Sequence, residues 1–350
     1  MLREIGGRPV GSGAPVFVIA EIGLNHAGSV DRALAMVDAA AAAGASAIKL
    51  QTLTADRLVA ASCPAPAHVQ ASSMREFFAA FELGAEAHRA VIARARAHQL
   101  AVISTPLSDE AVAMLEALDI DAYKIASGDL THHALIARVA RTGRPVVLST
   151  GMSTLTEVTQ AVRYLRSAGG DQIAALHCVS AYPTPVEAQN LRAIVTLANA
   201  LGMPVGLSDH GSGLHAAIAA VALGACLYER HFVLDDHTEA IDRAVSSTPA
   251  ELAAIVRAVH DTRLALGDGR KVVQPVERAN VRPSRRGLYA ARPLLAGERC
   301  APEDLIALRP AATFSPEDLP TLVGATIRRD VPAGAPVTVH DVLLTRERAA

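Results

Sequence analysis

Cysteine is scarce in this chain of 350 residues: Cys63, Cys178, Cys226 and Cys300 stand far apart, with no CxxC pair. That spacing argues against a zinc knuckle and a disulfide framework, and leaves reduced thiols as the expectation. Aromatic residues are only 3% of the chain, and the formal net charge is -2. With neither a Lys/Arg-rich run nor aromatics interleaved with basic residues, no electrostatic footprint for nucleic acid is present. Any anionic ligand must therefore be held by a local constellation. Long apolar runs are also missing. Ala supplies much of the 51% hydrophobic content, and Asp, Arg, His or Gly interrupts every apolar stretch before membrane-spanning length. The N-terminal MLREIGG carries charges where a secretory leader needs an apolar core, so a cytoplasmic location and no membrane partner are expected.

What the chain does have is alternation. From Val16 to about Leu266, short apolar runs alternate with longer helix-like stretches, the pattern of repeated βα units around a parallel sheet. The predicted strands are Val16–Gly23, Ala47–Thr52, Val102–Pro106, Ala122–Ser127, Pro145–Thr150, Ala174–Val179, Val205–His210 and Leu227–Phe232. Helical stretches such as Ser29–Ala43 and Thr154–Ala168 lie between them, stopped near Gly44 and Gly169. Eight such units predict an α/β fold, a closed (β/α)8 TIM barrel, over residues 1–268. The rival doubly wound sheet lacks its GxGxxG turn after the first strand. A chain this long exceeds one hydrophobic core, so a second, small domain is expected. Residues 269–285 are polar, basic and broken by Gly and Pro, as a linker would be, and 286–350 read as a small β-rich domain. The segment Ala60–Arg75 is long for a βα loop and is expected to fold over the barrel mouth.

In such a barrel the C-terminal strand ends build the active face. Polar residues fall there repeatedly: Glu21 in AEIGLNH, Lys49 and Gln51 in IKLQT, and Thr105 in STP. Lys124, Ser127 and Asp129 follow in YKIASGD, then Ser149 in LSTG, and Ser180 and Tyr182 in HCVSAYPTP. Ser208 and His210 end GLSDH, and Glu229 and His231 lie in ERHF. Alternation sends residues i and i+2 to one side, so Lys49 with Gln51, Ser208 with His210, and Glu229 with His231 are expected to share the interior. Any one of these alone is more often a satisfied or surface residue. Their recurrence across eight strands reverses that preference, because burying several unpaired charges costs several kcal/mol each. Lys49 and Lys124, with hydroxyls from Thr105, Ser127, Ser149 and Ser208, suit a phosphate and a carboxylate together. His210 and His231 offer two imidazole nitrogens for an open, catalytic metal position. A divalent ion is expected there, Mn2+ first, with Mg2+ or Co2+ as alternatives to structural zinc. His26, His132, His133 and His177 are weaker candidates, His177 as support for the site.

The ordered motifs AEIGLNHAG, IKLQT, STP, YKIASGD, LSTGM, HCVSAYPTP, GLSDH and ERHF resemble those of the sialic acid synthases over nearly the whole chain. The tail beginning RRGLYAARPLLAGE, with a later LVGATIRRDVPAGAPV, is similar to their C-terminal antifreeze-like (SAF) domain. The resemblance implies condensation of phosphoenolpyruvate with an amino-sugar aldehyde in a homodimer that exchanges its C-terminal domains. It further implies that Lys49, Thr105, Lys124, Ser127, Ser149, Ser180 and Ser208 hold phosphoenolpyruvate, and that His210 and His231 bind the metal. Glu21, Gln51, Asp129, Tyr182 and Asp242 would face the acceptor, with an Arg from the partner's SAF domain, Arg286 first and Arg285 second.

Three departures from the pattern stand out. Ser180 replaces a frequent Asn, Ile241 and Arg243 flank Asp242 in an altered loop, and RPAATFSP lacks the usual Gly. The expected acceptor is of N-acetylmannosamine type, with its 6-phosphate, the precursors of legionaminic or pseudaminic acid, or a non-standard aldehyde as alternatives. Two rival functions are a Schiff-base pyruvate aldolase using Lys49 or Lys124 and a non-catalytic sugar- or ice-binding protein.

Overall fold

The computed structural model describes residues 2–65 and 71–344. It divides into two compact units, one to Asp268 and one from Gly269. In the first, eight parallel strands close into a barrel: β1 (Phe17–Gly23), β2 (Ala47–Thr52), β3 (Ala101–Pro106), β4 (Ala122–Ile125), β5 (Val146–Ser149), β6 (Ile173–Cys178), β7 (Val205–Asp209) and β8 (Leu227–His231). The last strand pairs with the first, His231 lying opposite Glu21. Helices α1 (Val30–Ala42), α2 (Ala85–Ala97), α3 (Asp109–Ala117), α4 (His133–Ala140), α5 (Leu155–Ser167), α6 (Ala193–Leu201), α7 (His215–Ala222) and α8 (Pro249–Ala265) follow the strands in turn.

Local chemistry sets the helix starts. Thr154 with Glu157 caps α5 and Thr248 with Glu251 caps α8, each pair satisfying two otherwise orphaned donors. Pro249 opens α8 at a position where its missing N–H costs nothing. The strand ends predicted from sequence shift by a residue or two. Ser127 and Asp129, for instance, belong to a 3-10 turn after β4, since the chain must bend out of the barrel there.

Period-2 alternation sorts the strand residues into two cores. Outward-facing Val18, Ile48, Val102, Leu148 and Leu207 pack with the helices. Inward-facing Phe17, Ile19, Ala47, Ile103, Val147, Leu176 and Leu227 fill the lower barrel. The N-terminal residues, for which no structure is predicted from sequence, form a hairpin of Glu4–Ile5 and Arg8–Pro9. Leu2, Ile5 and Val10 join the lower interior core and plug that end. Gly206 admits β8 to the layer: a Cβ there would sit 2.3 Å from the Leu227 carbonyl oxygen. With the lower half filled by hydrocarbon, the inward positions left for polar groups are those at the C-terminal strand ends.

In the second unit, Gly287–Ala290 pairs with Leu305–Leu308 and Thr326–Ile327 with Val342–Leu343. Leu288, Leu294, Phe314, Leu322 and Val331 form its own small core. Residues 269–285 include a turn at Pro275–Glu277 and a short helix, Arg278–Ser284. The Arg282 carbonyl accepts from Ala311 N–H, which ties that helix to the unit. The expected lid segment Ala60–Arg75 lies partly outside the described residues. Its described flanks carry the helices Ala55–Leu58 and Met74–Ala79. Among the described residues no helix is long and apolar enough to cross a membrane, and the cysteines are free thiols.

Candidate active site

Above the apolar lower barrel, the next inward layer is charged. Lys49 on β2, Lys124 on β4, Glu21 on β1 and Glu229 on β8 are between 1% and 5% exposed. Lys49 Nζ touches the Glu21 carboxylate and lies 3.7 Å from Glu229 Oε2, while Lys124 Nζ lies 3.6 Å from Glu229 Oε1. Glu229 thus bridges the two lysines, and Ser208 Oγ donates to it at 2.8 Å. Lys124 Nζ donates to Ser149 Oγ at 2.5 Å, and Lys49 Nζ to Thr105 Oγ1 at 3.5 Å. All of these except Glu21 line a cavity of about 400 Å3 together with Gln51, Ser127, Cys178, Ser180, Tyr182, His210 and His231.

The balance of burial and charge shifts three of these groups. Burial alone would strip the proton from Lys49, but Glu21 and Glu229 more than offset it and raise its pKa. Lys124 goes the other way, lowered by burial and by the charge of Lys49 against the pull of Glu229. Burial would raise the Glu229 carboxyl, yet Lys124, Lys49 and the Ser208 hydroxyl bring it down to about 2. Glu21 Oε2 is taken up by the Lys49 ammonium, whereas Glu229 Oε2 receives no directional hydrogen bond and keeps acceptor capacity for a bound molecule or water.

A pH dependence follows, with its sign set by that depression. Glu229 contributes stability that is fully present above the ordinary glutamate pKa of 4.5 and is lost as pH falls towards about 2. Denaturant midpoints measured from pH 6 to pH 2.5 should fall along an acid limb that Glu229→Gln flattens. An unchanged acid limb in that variant would contradict the assignment.

The histidines occupy the rim. His210 Nδ1 contacts the Val179 carbonyl at 2.9 Å, and because a carbonyl only accepts, Nδ1 must carry the proton. Nε2 then holds a free lone pair. Burial first, then the neighbouring His231, pushes the His210 pKa down to about 4, so the ring is neutral near pH 7. His231 Nδ1 lies 3.2 Å from Asp242 Oδ2 without a well-aligned hydrogen bond. The two rings are 5.5 Å apart, and the half-exposed Tyr182 ring covers His210 at 4.3 Å. Two imidazoles, one neutral with Nδ1 held by a carbonyl and Nε2 free, the other facing a carboxylate, are of the chemistry that could hold a divalent ion. Among the described residues no cluster of three or more His, Cys, Asp or Glu side chains is arranged to hold a metal.

Of the first unit's residues singled out from sequence, Glu21, Asp129 and Asp242 are not among those lining the cavity. The carboxylate of Asp129 faces His132 at 3.9 Å, and burial raises its pKa. Arg286 belongs to the second unit, where Nη1 donates to the Ala307 carbonyl. Asp242 reaches the rim: a Cβ on Gly23 would meet Glu21 Oε1, Gln51 Nε2 and Asp242 Oδ2 at 3.0, 3.3 and 3.5 Å. His177 is not among the cavity-lining residues, and its Nε2 donates to the Gln189 carbonyl at 2.8 Å. Glu229 is the participant whose part the sequence reading missed. Alternation put it beside His231, but its bridging depends on lysines far away in sequence.

Comparison with known proteins decides the family. The NeuB family description matches residues 36–271 and the SAF domain description residues 285–343. The chain belongs to the NeuB family of sialic acid synthases. Among its relatives, the N,N'-diacetyllegionaminic acid synthase of Legionella pneumophila is 33% identical over 95% of this chain and 96% of its own. The pseudaminic acid synthase of Campylobacter jejuni is 34% identical over 91% of this chain and 94% of its own. A crystal structure of N-acetylneuraminic acid synthetase from Leptospira borgpetersenii, in complex with citrate, superposes with a TM-score of 0.72 at 32% identity, covering 79% of this chain and 94% of that one.

Proposed function

We propose that this NeuB-family protein joins phosphoenolpyruvate to an N-acylated amino-sugar aldehyde, giving a nonulosonic acid and phosphate. The observation that carries the reading is the convergence of two buried lysines and five serine and threonine hydroxyls beside a neutral histidine, all at one end of the barrel. Lys49, Lys124, Thr105, Ser127, Ser149, Ser180 and Ser208 would hold the phosphate and carboxylate of the enol phosphate. Gln51, Tyr182 and Asp242 line the rim, where the acceptor would lie. A divalent ion bound by His210 and His231, Mn2+ in this reading, would polarise the acceptor aldehyde.

The chain's own residues account for the rest. C3 of the enol attacks the aldehyde carbon, positive charge develops at C2, and water adds there. Glu229 keeps an oxygen without a hydrogen-bond partner and Glu21 lies against Lys49, so these carboxylates would stabilise the cationic carbon and orient or deprotonate the water. The lysines neutralise the phosphate that leaves as the tetrahedral intermediate breaks its C–O bond. The relatives, synthases of N-acetylneuraminic, N,N'-diacetyllegionaminic and pseudaminic acids, support two acceptor types, N-acetylmannosamine and the diacetamido dideoxy hexoses.

One assay tests the reading. Phosphate release from phosphoenolpyruvate should require one of these aldoses, and mass spectrometry should show the summed carbon skeleton. Borohydride with pyruvate should trap nothing on Lys49 or Lys124; a covalent adduct without phosphate release would establish the aldolase instead. The proposed assembly is a homodimer with exchanged SAF domains. Running the assay on Arg285→Ala and Arg286→Ala, both at exposed positions, should raise the acceptor KM for the one that reaches the partner's barrel. Two unchanged values would remove these two arginines from the site.

A further inference from the structure

The outward faces of β7 and β8 pack against helices, and Leu207 and Tyr228 there belong to the apolar outer core. Two charged residues interrupt that core: Asp209 is 3% exposed and Arg230 5%. They stand opposite each other at the last paired register between the strands, each one residue before a rim histidine. Asp209 Oδ2 accepts from Arg230 Nη1 at 2.9 Å and from the Tyr228 hydroxyl at 2.7 Å. Asp209 Oδ1 accepts from Gly211 N–H at 2.8 Å, and Arg230 Nη2 donates to the Gly211 carbonyl at 2.6 Å. The peptide groups on both sides of Gly211 are therefore gripped by the pair. The carbonyl of the first of these peptides, that of His210, accepts from Thr184 N–H at 2.9 Å.

Stability does not explain this arrangement. Apolar residues of similar volume usually hold such a position as well as, or better than, a buried ion pair, and here Arg230 Nε is buried without a partner. The arrangement does fix geometry: it locks the last rung between two strands and the turn immediately after His210, and so the distance and tilt between two imidazoles.

We infer that Asp209 and Arg230 are positioning residues, whose ion pair sets the mutual placement of His210 and His231 by clamping the Gly211 turn to the end of β8. The inference rests on the reading of those histidines as ligands of a divalent ion. Neither side chain touches the cavity that holds the lysines, so binding of phosphoenolpyruvate should be spared.

The test replaces the buried polar cluster by apolar residues, Asp209→Leu with Tyr228→Phe and Arg230→Met, which leaves no orphaned side-chain charge. Isothermal titration of unliganded protein with Mn2+ should show affinity about 10- to 100-fold weaker than wild type. The melting temperature and the KM for phosphoenolpyruvate should stay close to wild type. A folded triple variant that binds Mn2+ within twofold of wild type overturns the inference. Should the triple variant fail to fold, Arg230→Lys keeps the charge but loses the planar two-pronged grip. It is expected to weaken Mn2+ binding by about tenfold, and wild-type affinity there overturns the inference equally. Absence of Mn2+ binding by the wild-type protein would bring down the metal reading and this inference together, whereas equal binding by wild type and variants removes the clamp alone.

Discussion

Replacing Lys124 with Met is expected to lower kcat/KM for phosphoenolpyruvate by about 10²- to 10³-fold, and Lys49→Met should do the same, because each removes a buried cation aimed at developing negative charge. The two variants should part company in stability. Lys49 sits between Glu21 and Glu229, so its loss strands two buried carboxylates, whereas Lys124 shares only Glu229 with it. Breaking a buried pair typically costs about 3–5 kcal/mol, and Lys49→Met should show the larger drop in denaturant midpoint. Adding Glu229→Gln to Lys49→Met should recover part of that midpoint without restoring turnover. Full activity in Lys124→Met, measured by phosphate release at saturating acceptor, would show that the cavity does not bind the enol phosphate.

Chelation is expected to stop turnover of the wild-type protein, and Mn2+ added back should restore it. His210→Ala and His231→Ala should each lose about 10³-fold in activity at fixed metal, the equivalent of several kcal/mol of carbonyl polarisation. Excess metal should rescue the single variants in part and the double variant not at all. Both rings lie against the rim, far from the apolar lower core, so these variants should keep near-native melting temperatures. Chelator-resistant activity in the double variant would take the metal out of the mechanism. The His210 ring is already neutral near pH 7, so metal binding there should release no proton from it, a point calorimetry in buffers of different ionisation enthalpy can read.

The barrel was legible in the sequence because each strand carries its own signature: an apolar run with period 2, ending in a polar residue. Lys49, Lys124, His210 and His231 could be assigned from that rule alone, since strand ends in this architecture converge. Other features depend on relations that are not local. The bridging of Glu229 needs Lys49 and Lys124, on strands β2 and β4, to arrive on either side of it. Asp129 follows the same motif as Lys124 and Ser127, yet the 3-10 turn after β4 rotates its carboxylate towards His132. The N-terminal hairpin has strands of two residues, too short for any period to register. Asp209 and Arg230 broke the outward apolar pattern visibly, but only their register across β7 and β8 shows that they meet.

The hairpin that stoppers the lower barrel has a consequence for traffic. With Leu2, Ile5 and Val10 closing one end and hydrocarbon filling the space above them, the described residues leave the barrel cavity blind at its floor, so traffic would pass by way of the strand-end rim. A donor seated against the deep lysines would have to enter before the acceptor that follows it, and phosphate could depart only after the new sugar acid had cleared the threshold.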